Sequence, residues 1–316
     1  GLLAYSTISH LGLITTLLSL GSPLAAVAAI FHMVNHATFK ASLFMAAGII
    51  DHEAGTRDMR KLSGLFTALP ITGTLAMVAS GAMAGVPLLN GFLSKEMFFA
   101  EAILEHRESL LDSVTPYLAV LAGAFAVTYS VRFIHSVFFG PKATDLPREP
   151  HEPPHWMRLP IELLVLACLL VGVIPGLTIG PYLHTAIVSV LREETPEYSL
   201  SIWHGFNLPL LMSLIALVGG ILLYAALRRY LAHCEEDPPG LRGLRGQRIF
   251  ERILVTVSWR WARWLEAHLG TRRLQPQLRT LVLVAIIVTA WPLFKAGLMP
   301  ELSSIANLDP ALVLVW

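Results

Sequence analysis

Long apolar runs separated by short polar loops recur along most of the chain. A helical run of about 20 apolar residues matches the ~30 Å hydrocarbon core of a bilayer. The pattern therefore predicts an all-α fold, a polytopic transmembrane helix bundle. We place its helices at residues 1–20, 23–50, 66–85, 92–104, 116–139, 159–177, 206–230 and 278–298. Residues 141–160, rich in proline, carry no helical pattern.

One apolar run is interrupted in a way that predicts a broken helix. In VPLLNGFLSKEMFF, Pro87 and Gly91 bracket Asn90. Proline removes a backbone donor and glycine relaxes the backbone, so a helix is expected to stop and restart here. The second half, residues 92–104, is then too short to cross a bilayer alone.

Residues 248–269 differ from the other apolar segments because apolar and charged positions alternate at helical spacing. This pattern predicts an amphipathic lateral helix with tryptophans on its apolar side, lying along the membrane surface or along a row of helices. An ordinary cytoplasmic linker helix is the alternative. The apolar positions are Ile249, Phe250, Ile253, Leu254, Val257, Trp261, Trp264, Leu265 and Leu269.

Composition agrees with a membrane protein and excludes several function classes. Of 316 residues, 54% are hydrophobic and 14% charged, whereas soluble domains average about 25% charged. The two cysteines offer no disulfide framework or metal cluster. No Walker loop, dinucleotide fingerprint or hydrolase motif is present. We therefore expect no cofactor, no enzymatic activity of the chain itself and no nucleic-acid partner.

Basic residues predict the orientation. If the spans alternate, the loops after spans five and seven share one side, and the loops after spans two, four and six lie opposite. The first set carries Lys142, Arg148 and Arg158 and the basic cluster at 228–248. The positive-inside rule places this set, and the lateral helix, in the cytoplasm. Because residue 1 begins inside an apolar run and 309–316 reads as the start of another span, we expect a piece of a longer protein.

Three ionisable side chains lie four residues apart in the second span, at His32, His36 and Lys40. They share one helix face and form a ladder about 12 Å long. An ionisable group at mid-bilayer costs ~2.5–3.5 kcal/mol, so such groups usually face a protein interior or a water-filled route. Imidazoles and a desolvated lysine can exchange protons, which predicts a proton path. A zinc site or structural hydrogen bonds to neighbouring helices are the alternatives.

Lys95 follows the break directly, with Glu96 next to it and Glu101 further along. Backbone freed by a broken helix is tolerated beside a cavity, which makes Lys95 a second candidate for proton exchange. A snorkelling lysine beside a solvated glutamate is the alternative. The secondary candidates are Glu96, Glu101, His10, Thr128 and Arg132. Helix packing is the alternative for His10, and snorkelling is the alternative for Arg132.

Three motifs resemble one family. LAYSTISHLG, IFHMVNHATFKASLFMAAG and GFLSKEMF, in that order within residues 1–140, are similar to those of the antiporter-like membrane subunits. That superfamily includes the large A-type subunit of Mrp-type Na⁺/H⁺ antiporters and the proton-pumping subunits of respiratory complex I and membrane-bound hydrogenases. The stretches HEPPHWMRLP and RWARWLEAHL favour the Mrp-type antiporter.

The resemblance implies a role for each matched residue. His32, His36 and Lys40 would belong to a central hydrophilic proton path, and Lys95 would be its terminal proton exchanger. It implies Na⁺ and H⁺ as transported ions, other membrane subunits as partners beside the lipid bilayer, and a bacterial plasma membrane as location. Residues 1–140 would form the second half of the proton-translocating module, 141–232 the following helices, 233–276 the linker and lateral helix, and 277–316 further spans. A redox-driven proton pump and a non-conducting scaffold are the alternatives.

Overall fold

The structure is a computed structural model that describes residues 1–104, 110–192, 195–233, 246–269 and 274–295. Within these ranges the chain is almost entirely helical and contains no strand. The predicted all-α membrane fold is confirmed. The chain divides into two compact units, 1–233 and 234–316. The predicted division into four parts remains a prediction.

The first unit contains nine described α-helices and one 3₁₀ turn at Leu65–Thr67. The helices are α1 Leu2–Ser19, α2 Pro23–Ala54, α3 Pro70–Ala84, α4 Asn90–Leu104, α5 Leu110–Phe138, α6 His155–Val173, α7 Pro175–Thr178, α8 Gly180–Leu191 and α9 Leu208–His233.

Apart from shifts of up to four residues at several helix ends and a division of the predicted span 159–177 into α6 and α7, three differences from the predicted spans stand out. The helix α8 was not predicted, because its twelve residues are too short to register as a span. Helix α5 begins six residues earlier than predicted and continues through Pro116. Helix α6 begins at His155, inside the stretch predicted to be irregular, and contains Pro160. Proline is tolerated where neighbouring helices and local adjustments satisfy the freed carbonyl groups.

Five described helices are long and apolar enough to cross a membrane: Leu2–Ser19, Ser113–Phe138, His155–Val173, Leu208–Tyr230 and Leu274–Pro292. The helix α2 is longer, at 32 residues, or about 48 Å at the helical rise. It begins at Ser22, whose hydroxyl accepts a hydrogen bond from the Ala25 amide at 2.9 Å, and it ends at Gly55 in the left-handed region. It buries three of its polar side chains in mid-helix, at His32, Asn35 and Lys40.

The predicted break separates α3 from α4 at residues 85–89, where the backbone is unusual and tightly packed. Leu88, a non-glycine residue, has φ of 68°, an uncommon and strained conformation. A Cβ at Gly91 would collide with the backbone of Ala82, and one at Gly172 of α6 would collide with the backbone of Leu88. The break is therefore held between the end of α3 and the side of α6.

Together α3 and α4 make one crossing of the bundle. The α3 amides of Ile71 and Thr72 meet Glu152 at one end. At the other end, Glu101 of α4 accepts a hydrogen bond from Ser22 at 2.6 Å.

The loops after α2 and α5 consequently lie at the same end of the bundle, which corrects the side predicted for the loop after α2. The Ser63 hydroxyl donates to the Pro141 carbonyl at 2.5 Å, and the Arg148 guanidinium donates to the His52 carbonyl at 2.9 Å. The prediction counted α3 and α4 as two spans and therefore put these loops on opposite sides. The two apolar runs are the halves of one broken helix, so together they cross the bundle only once. The loop after α2 therefore adds its own basic residues, Arg57, Arg60 and Lys61, to this end.

The loop after α5 makes contacts with the start of α3 and with the end of α2. The carboxylate of Glu152 accepts hydrogen bonds from the amides of Ile71 and Thr72, both at 3.0 Å, and from the Thr72 hydroxyl at 2.6 Å. A carboxylate at a helix N-terminus satisfies free amides and interacts favourably with the helix dipole. Nearby, the carboxylate of Glu53 lies between the Nδ1 atoms of His52 and His151, each at 2.9 Å.

The second unit contains α10 Gly246–Val255, a π-helical segment Thr256–Trp261, α11 Ala262–Leu269 and α12 Leu274–Lys295. The predicted single helix over 248–269 is thus helical throughout but is interrupted by the π segment. Trp259, Trp261 and Trp264 are exposed within the unit, and the Arg263 guanidinium lies 4.5 Å from the Trp259 ring. The placement of the lateral helix along a membrane remains a prediction. The predictions for residues 234–245, 270–273 and 296–316 lie outside the described residues.

We expect Gly91→Ala to destabilise the protein. Its methyl group would meet the Ala82 backbone, which cannot move without shifting α3, and such overpacking costs ~1–3 kcal/mol. The measurement is the thermal unfolding midpoint of the full-length protein in detergent. Gly48→Ala in α2 is the matched control, because its Cβ would meet open space. Equal midpoints for the two variants would contradict the tight packing of the break.

We expect Glu152→Ala to lower the same unfolding midpoint, because it leaves two amides of α3 without an acceptor. Loss of a capping carboxylate costs about 1–2 kcal/mol. Glu149→Ala, which removes an exposed carboxylate from the same loop, is the control and should leave the midpoint unchanged. An unchanged midpoint for Glu152→Ala would show that the loop does not stabilise α3.

Candidate functional site: a buried histidine and lysine path

Three histidines meet in the interior of the first unit. The His10 ring of α1 lies with its centroid 5.2 Å from His32 and 5.3 Å from His36, both of α2. The centroids of His32 and His36 are 6.4 Å apart, and the Phe39 ring packs against all three. The predicted ladder on α2 is therefore part of a compact cluster, because α1 contributes a third imidazole that the spacing on α2 could not reveal.

A chain of hydrogen bonds runs through two of these rings. The Ser94 hydroxyl of α4 donates to the Gly91 carbonyl and lies 2.9 Å from His32 Nδ1. The roles of the imidazole nitrogens depend on the tautomer: when the Ser94 hydroxyl donates to Gly91, His32 Nδ1 donates to Ser94 Oγ and His32 Nε2 is an acceptor. His10 Nδ1, 3.0 Å away, donates to it. In this arrangement His10 Nε2 carries a lone pair, and it is a buried atom without a hydrogen-bond partner on the described residues.

Lys40 is buried one turn beyond His36 on α2. Its ammonium donates to the Leu3 carbonyl at 3.3 Å and makes a short hydrogen bond to the Ser6 hydroxyl. The first turns of α1 therefore hold this ammonium at the far end of the histidine cluster. Ser6 had no place among the sequence candidates, although its hydroxyl inside the first span was visible as a signal.

Lys95 is buried at the break. Its ammonium donates to the carbonyls of Met83 at 2.8 Å and Ala84 at 2.9 Å, the last carbonyls of α3. Those carbonyls have no helical donor, because the residues four positions later are Pro87, which lacks an N–H, and Leu88, which lies beyond the helix end. The snorkelling alternative is wrong, since the side chain points back to the helix end inside the bundle and is only 5% exposed.

Lys95 and His10 both line one cavity of about 250 Å³ between α1, α4 and α5. Its walls are mainly apolar and aromatic, and its polar lining comes from a few side chains. These are Ser9, His10, Thr16, Lys95, Thr115 and Tyr129. The cavity is thus a polar connection between the broken helix and the histidine cluster.

Glu96 and Glu101 are also buried, but they face the other side of α4. Both line a separate cavity of about 300 Å³ that also contains His204 and Asn207. The Asn207 amide donates to Glu96 at 3.4 Å, and the Ser22 hydroxyl donates to Glu101 at 2.6 Å. The structure therefore separates these carboxylates from the lysine that precedes them in sequence.

Thr128 and Arg132 are not among the residues that line the cavity shared by Lys95 and His10. The Thr128 hydroxyl bonds to the carbonyls of Ala124 and of Gly220, both at 2.9 Å, and so joins α5 to α9. Arg132 lies half-buried one turn later on α5. Thr128 thus makes a packing contact between two helices.

The zinc alternative for His32 and His36 finds no support. Within the described ranges, no group of three or more His, Cys, Asp or Glu residues is arranged to hold a metal ion. The imidazole nitrogens of His32 instead contact another imidazole and a serine hydroxyl.

Comparisons with known proteins agree with this arrangement. Residues 1–115 match the family model described as NADH:quinone oxidoreductase/Mrp antiporter, transmembrane. The whole chain is 70% identical to 32% of the probable K⁺/H⁺ antiporter A/B subunit of Rhizobium meliloti. Over 73% of its length, the chain is 38% identical to 32% of the Na⁺/H⁺ antiporter A-type subunit of Alkalihalophilus pseudofirmus. The chain thus spans about a third of the length of these relatives.

Solved structures show the same likeness. The Mrp complex from Dietzia sp. matches 93% of this chain and 31% of its own matched chain, with a TM-score of 0.67 and 31% identity. An archaeal membrane-bound sulfane sulfur reductase matches 91% of this chain and 51% of its own chain, with a TM-score of 0.56 and 23% identity, which shows a shared fold. The chain therefore belongs to the NADH:quinone oxidoreductase/Mrp antiporter family of membrane proteins, in the group that includes the antiporter A-type subunits.

Proposed function

We propose that this chain carries part of the proton path in the membrane subunit of a monovalent cation/proton antiporter. One observation supports the proposal most directly. A buried chain of hydrogen bonds runs from Ser94 through His32 to His10. His10 Nε2 has no hydrogen-bond partner on the described residues, and His10 lines the same cavity as Lys95. Groups that can exchange protons therefore follow one another inside a bundle whose outer surface is apolar.

Proton transfer in this path uses Lys95 and Lys40 as its two ends. His10 and His32 share a hydrogen bond, so a proton gained at His10 Nε2 allows the Nδ1 proton to pass to His32 Nε2. The His36 ring is stacked with His32 and tilted against His10, and its buried Nε2 has no hydrogen-bond partner among the described residues. Through it the cluster extends towards Lys40. The sequence predicted His32 and His36 as relays between Lys40 and Lys95. The contacts of His10 with both rings support including His10 in the relay.

The transported cation is a proposal drawn from the names of the relatives. The 70% identical relative is named for K⁺ and a 38% identical one for Na⁺. We propose antiport of a monovalent cation against protons and retain Na⁺ as the first candidate, with K⁺ as the competitor in the assay. Cation passage would occur elsewhere in a complex formed with other membrane subunits.

We place the protein in a bacterial plasma membrane with the ends of α2 and α5 towards the cytoplasm. The loops at this end carry Arg57, Arg60, Lys61, Lys142 and Arg148. Arg57, Arg60 and Lys61 join the basic residues that the alternating count already gave to this side, so the positive-inside rule supports the orientation more strongly. The linker and lateral helix that follow α9 would lie on the same side.

We expect Lys95→Ala to abolish cation-driven proton movement without preventing assembly, because no other described lysine lines the cavity beside His10. The assay uses everted vesicles that contain the complete complex, from a host without its own antiporters. A pH gradient is imposed without respiration, Na⁺ or K⁺ is added, and proton efflux is followed. Lys61→Ala, at an exposed loop lysine, is the control and should retain wild-type efflux.

Each outcome of this assay decides between functions. Efflux that is lost in Lys95→Ala supports the antiporter and the role of Lys95. No efflux in the wild-type complex would favour the redox-driven pump, which the family name also includes. Unchanged efflux in both Lys95→Ala and Lys40→Ala would favour a scaffold.

We expect His10→Phe to reduce the same efflux by on the order of 10²-fold, the usual contribution of one proton-transfer group. Phenylalanine retains the ring packing against His32, His36 and Phe39 but removes both nitrogens. His184→Phe, outside the cluster on α8, is the matched control. Wild-type efflux in His10→Phe would exclude His10 from the path and leave His36 as the link to His32.

A further inference from the structure

The cavity between Lys95 and His10 is large enough for water. Its volume is about 250 Å³, whereas one water molecule occupies ~30 Å³ in the liquid. Apolar cavities remain dry, and a cavity holds water when two to four polar groups can bind each molecule. The occupancy of this cavity therefore depends on the polar groups that face it.

Tyr129 of α5 contributes an unusual group to the cavity wall. Its hydroxyl is buried and is without a hydrogen-bond partner on the described residues. The Ser9 side chain is its neighbour, but the two do not meet the geometry of a full hydrogen bond. Its ring stands edge-on to His10, with centroids 6.5 Å apart. An unpaired buried hydroxyl costs ~1–3 kcal/mol, so a phenylalanine would suit a dry cavity better.

Other polar side chains that line the cavity have donors or acceptors available for a water molecule. The Lys95 ammonium has three N–H donors and uses two of them on Met83 and Ala84. His10 Nε2 is buried without a hydrogen-bond partner on the described residues, and it offers a lone pair in the tautomer in which His10 Nδ1 donates to His32. Lys95, His10, Tyr129 and Ser9 all line this cavity, so together they supply a donor, an acceptor and two hydroxyl groups that can do either.

We propose that Tyr129 is a positioning residue that holds water between Lys95 and His10, an inference that rests on the proposed function. The water gives a proton to His10 Nε2 and takes one from Lys95 Nζ, so the water is regenerated. His10 then passes its Nδ1 proton to His32 Nε2. Tyr129 itself gains and loses no proton in this step; its hydroxyl fixes the water in line with the two nitrogens.

We expect Tyr129→Phe to lower the maximal rate of cation-driven proton efflux about tenfold, somewhat less than the loss of a group that itself transfers a proton. The apparent KM for the added cation should stay at the wild-type value, because the cation does not bind in this cavity. Tyr117→Phe is the matched control: it removes a hydroxyl from the same helix at a side chain that is 76% exposed. It should leave both parameters unchanged.

A second variant tests the water without removing a hydroxyl. Ala122 lines the same cavity, and Ala122→Leu fills part of it. We expect the maximal rate to fall as in Tyr129→Phe, again at constant KM. A larger solvent isotope effect in D₂O for both variants would show that proton transfer has become slower, which a purely structural defect would not produce.

The outcomes separate this inference from the proposed function. If Lys95→Ala loses efflux while Tyr129→Phe and Ala122→Leu keep the wild-type rate, the antiporter proposal holds and the water-mediated link through this cavity is wrong. If the KM changes together with the rate, or if the complex no longer assembles in both variants, Tyr129 has a structural role and the inference is also overturned. Retained efflux in Lys95→Ala alone would remove Lys95 from the path and overturn this inference, and retained efflux in both Lys95→Ala and Lys40→Ala would contradict the proposed function itself.

Discussion

The contact between the Lys95 ammonium and the end of α3 is the interaction on which the interior of this protein depends. A charge in a bilayer core costs ~2.5–3.5 kcal/mol, and a helix that stops there leaves carbonyl groups unpaired. The buried charge and the unpaired carbonyl groups offset each other, because two hydrogen bonds from a charged donor contribute ~1.5–3 kcal/mol each. The negative end of the α3 dipole adds to the attraction. The close packing of Gly91 and Gly172 against the backbone keeps this arrangement in place.

The site joins groups from three helices into one electrostatic unit. His10 comes from α1, His32, His36 and Lys40 from α2, and Lys95 from α4. Lys95 and His10 line one cavity, and His10 and His32 share a hydrogen bond, so a change of protonation at the break can reach the histidine cluster. That coupling is what a proton path needs, since transfer along it requires neighbouring groups to respond to one another.

The loops at the basic end connect this interior to the surface. Glu152 binds the start of α3, the helix whose last carbonyls hold Lys95. Glu53, at the end of the helix that carries the histidines and Lys40, contacts His151 of the same loop. The loop after α5 therefore ties together the ends of α2 and α3, and rigid positioning of these two helices maintains the geometry of the site.

The sequence by itself determined the helical membrane fold, the break before Lys95 and the candidacy of His32, His36 and Lys40, because apolar length, proline, glycine and buried charge are local signals. Only the tertiary structure decided how distant segments meet. It joined α3 and α4 into one crossing, which reversed the side assigned to the loop after α2. It also brought His10 into the histidine cluster, turned Glu96 away from Lys95 and placed Tyr129 on a shared cavity. These contacts depend on which helix faces pack together, and the spacing of residues along one helix does not specify its neighbours.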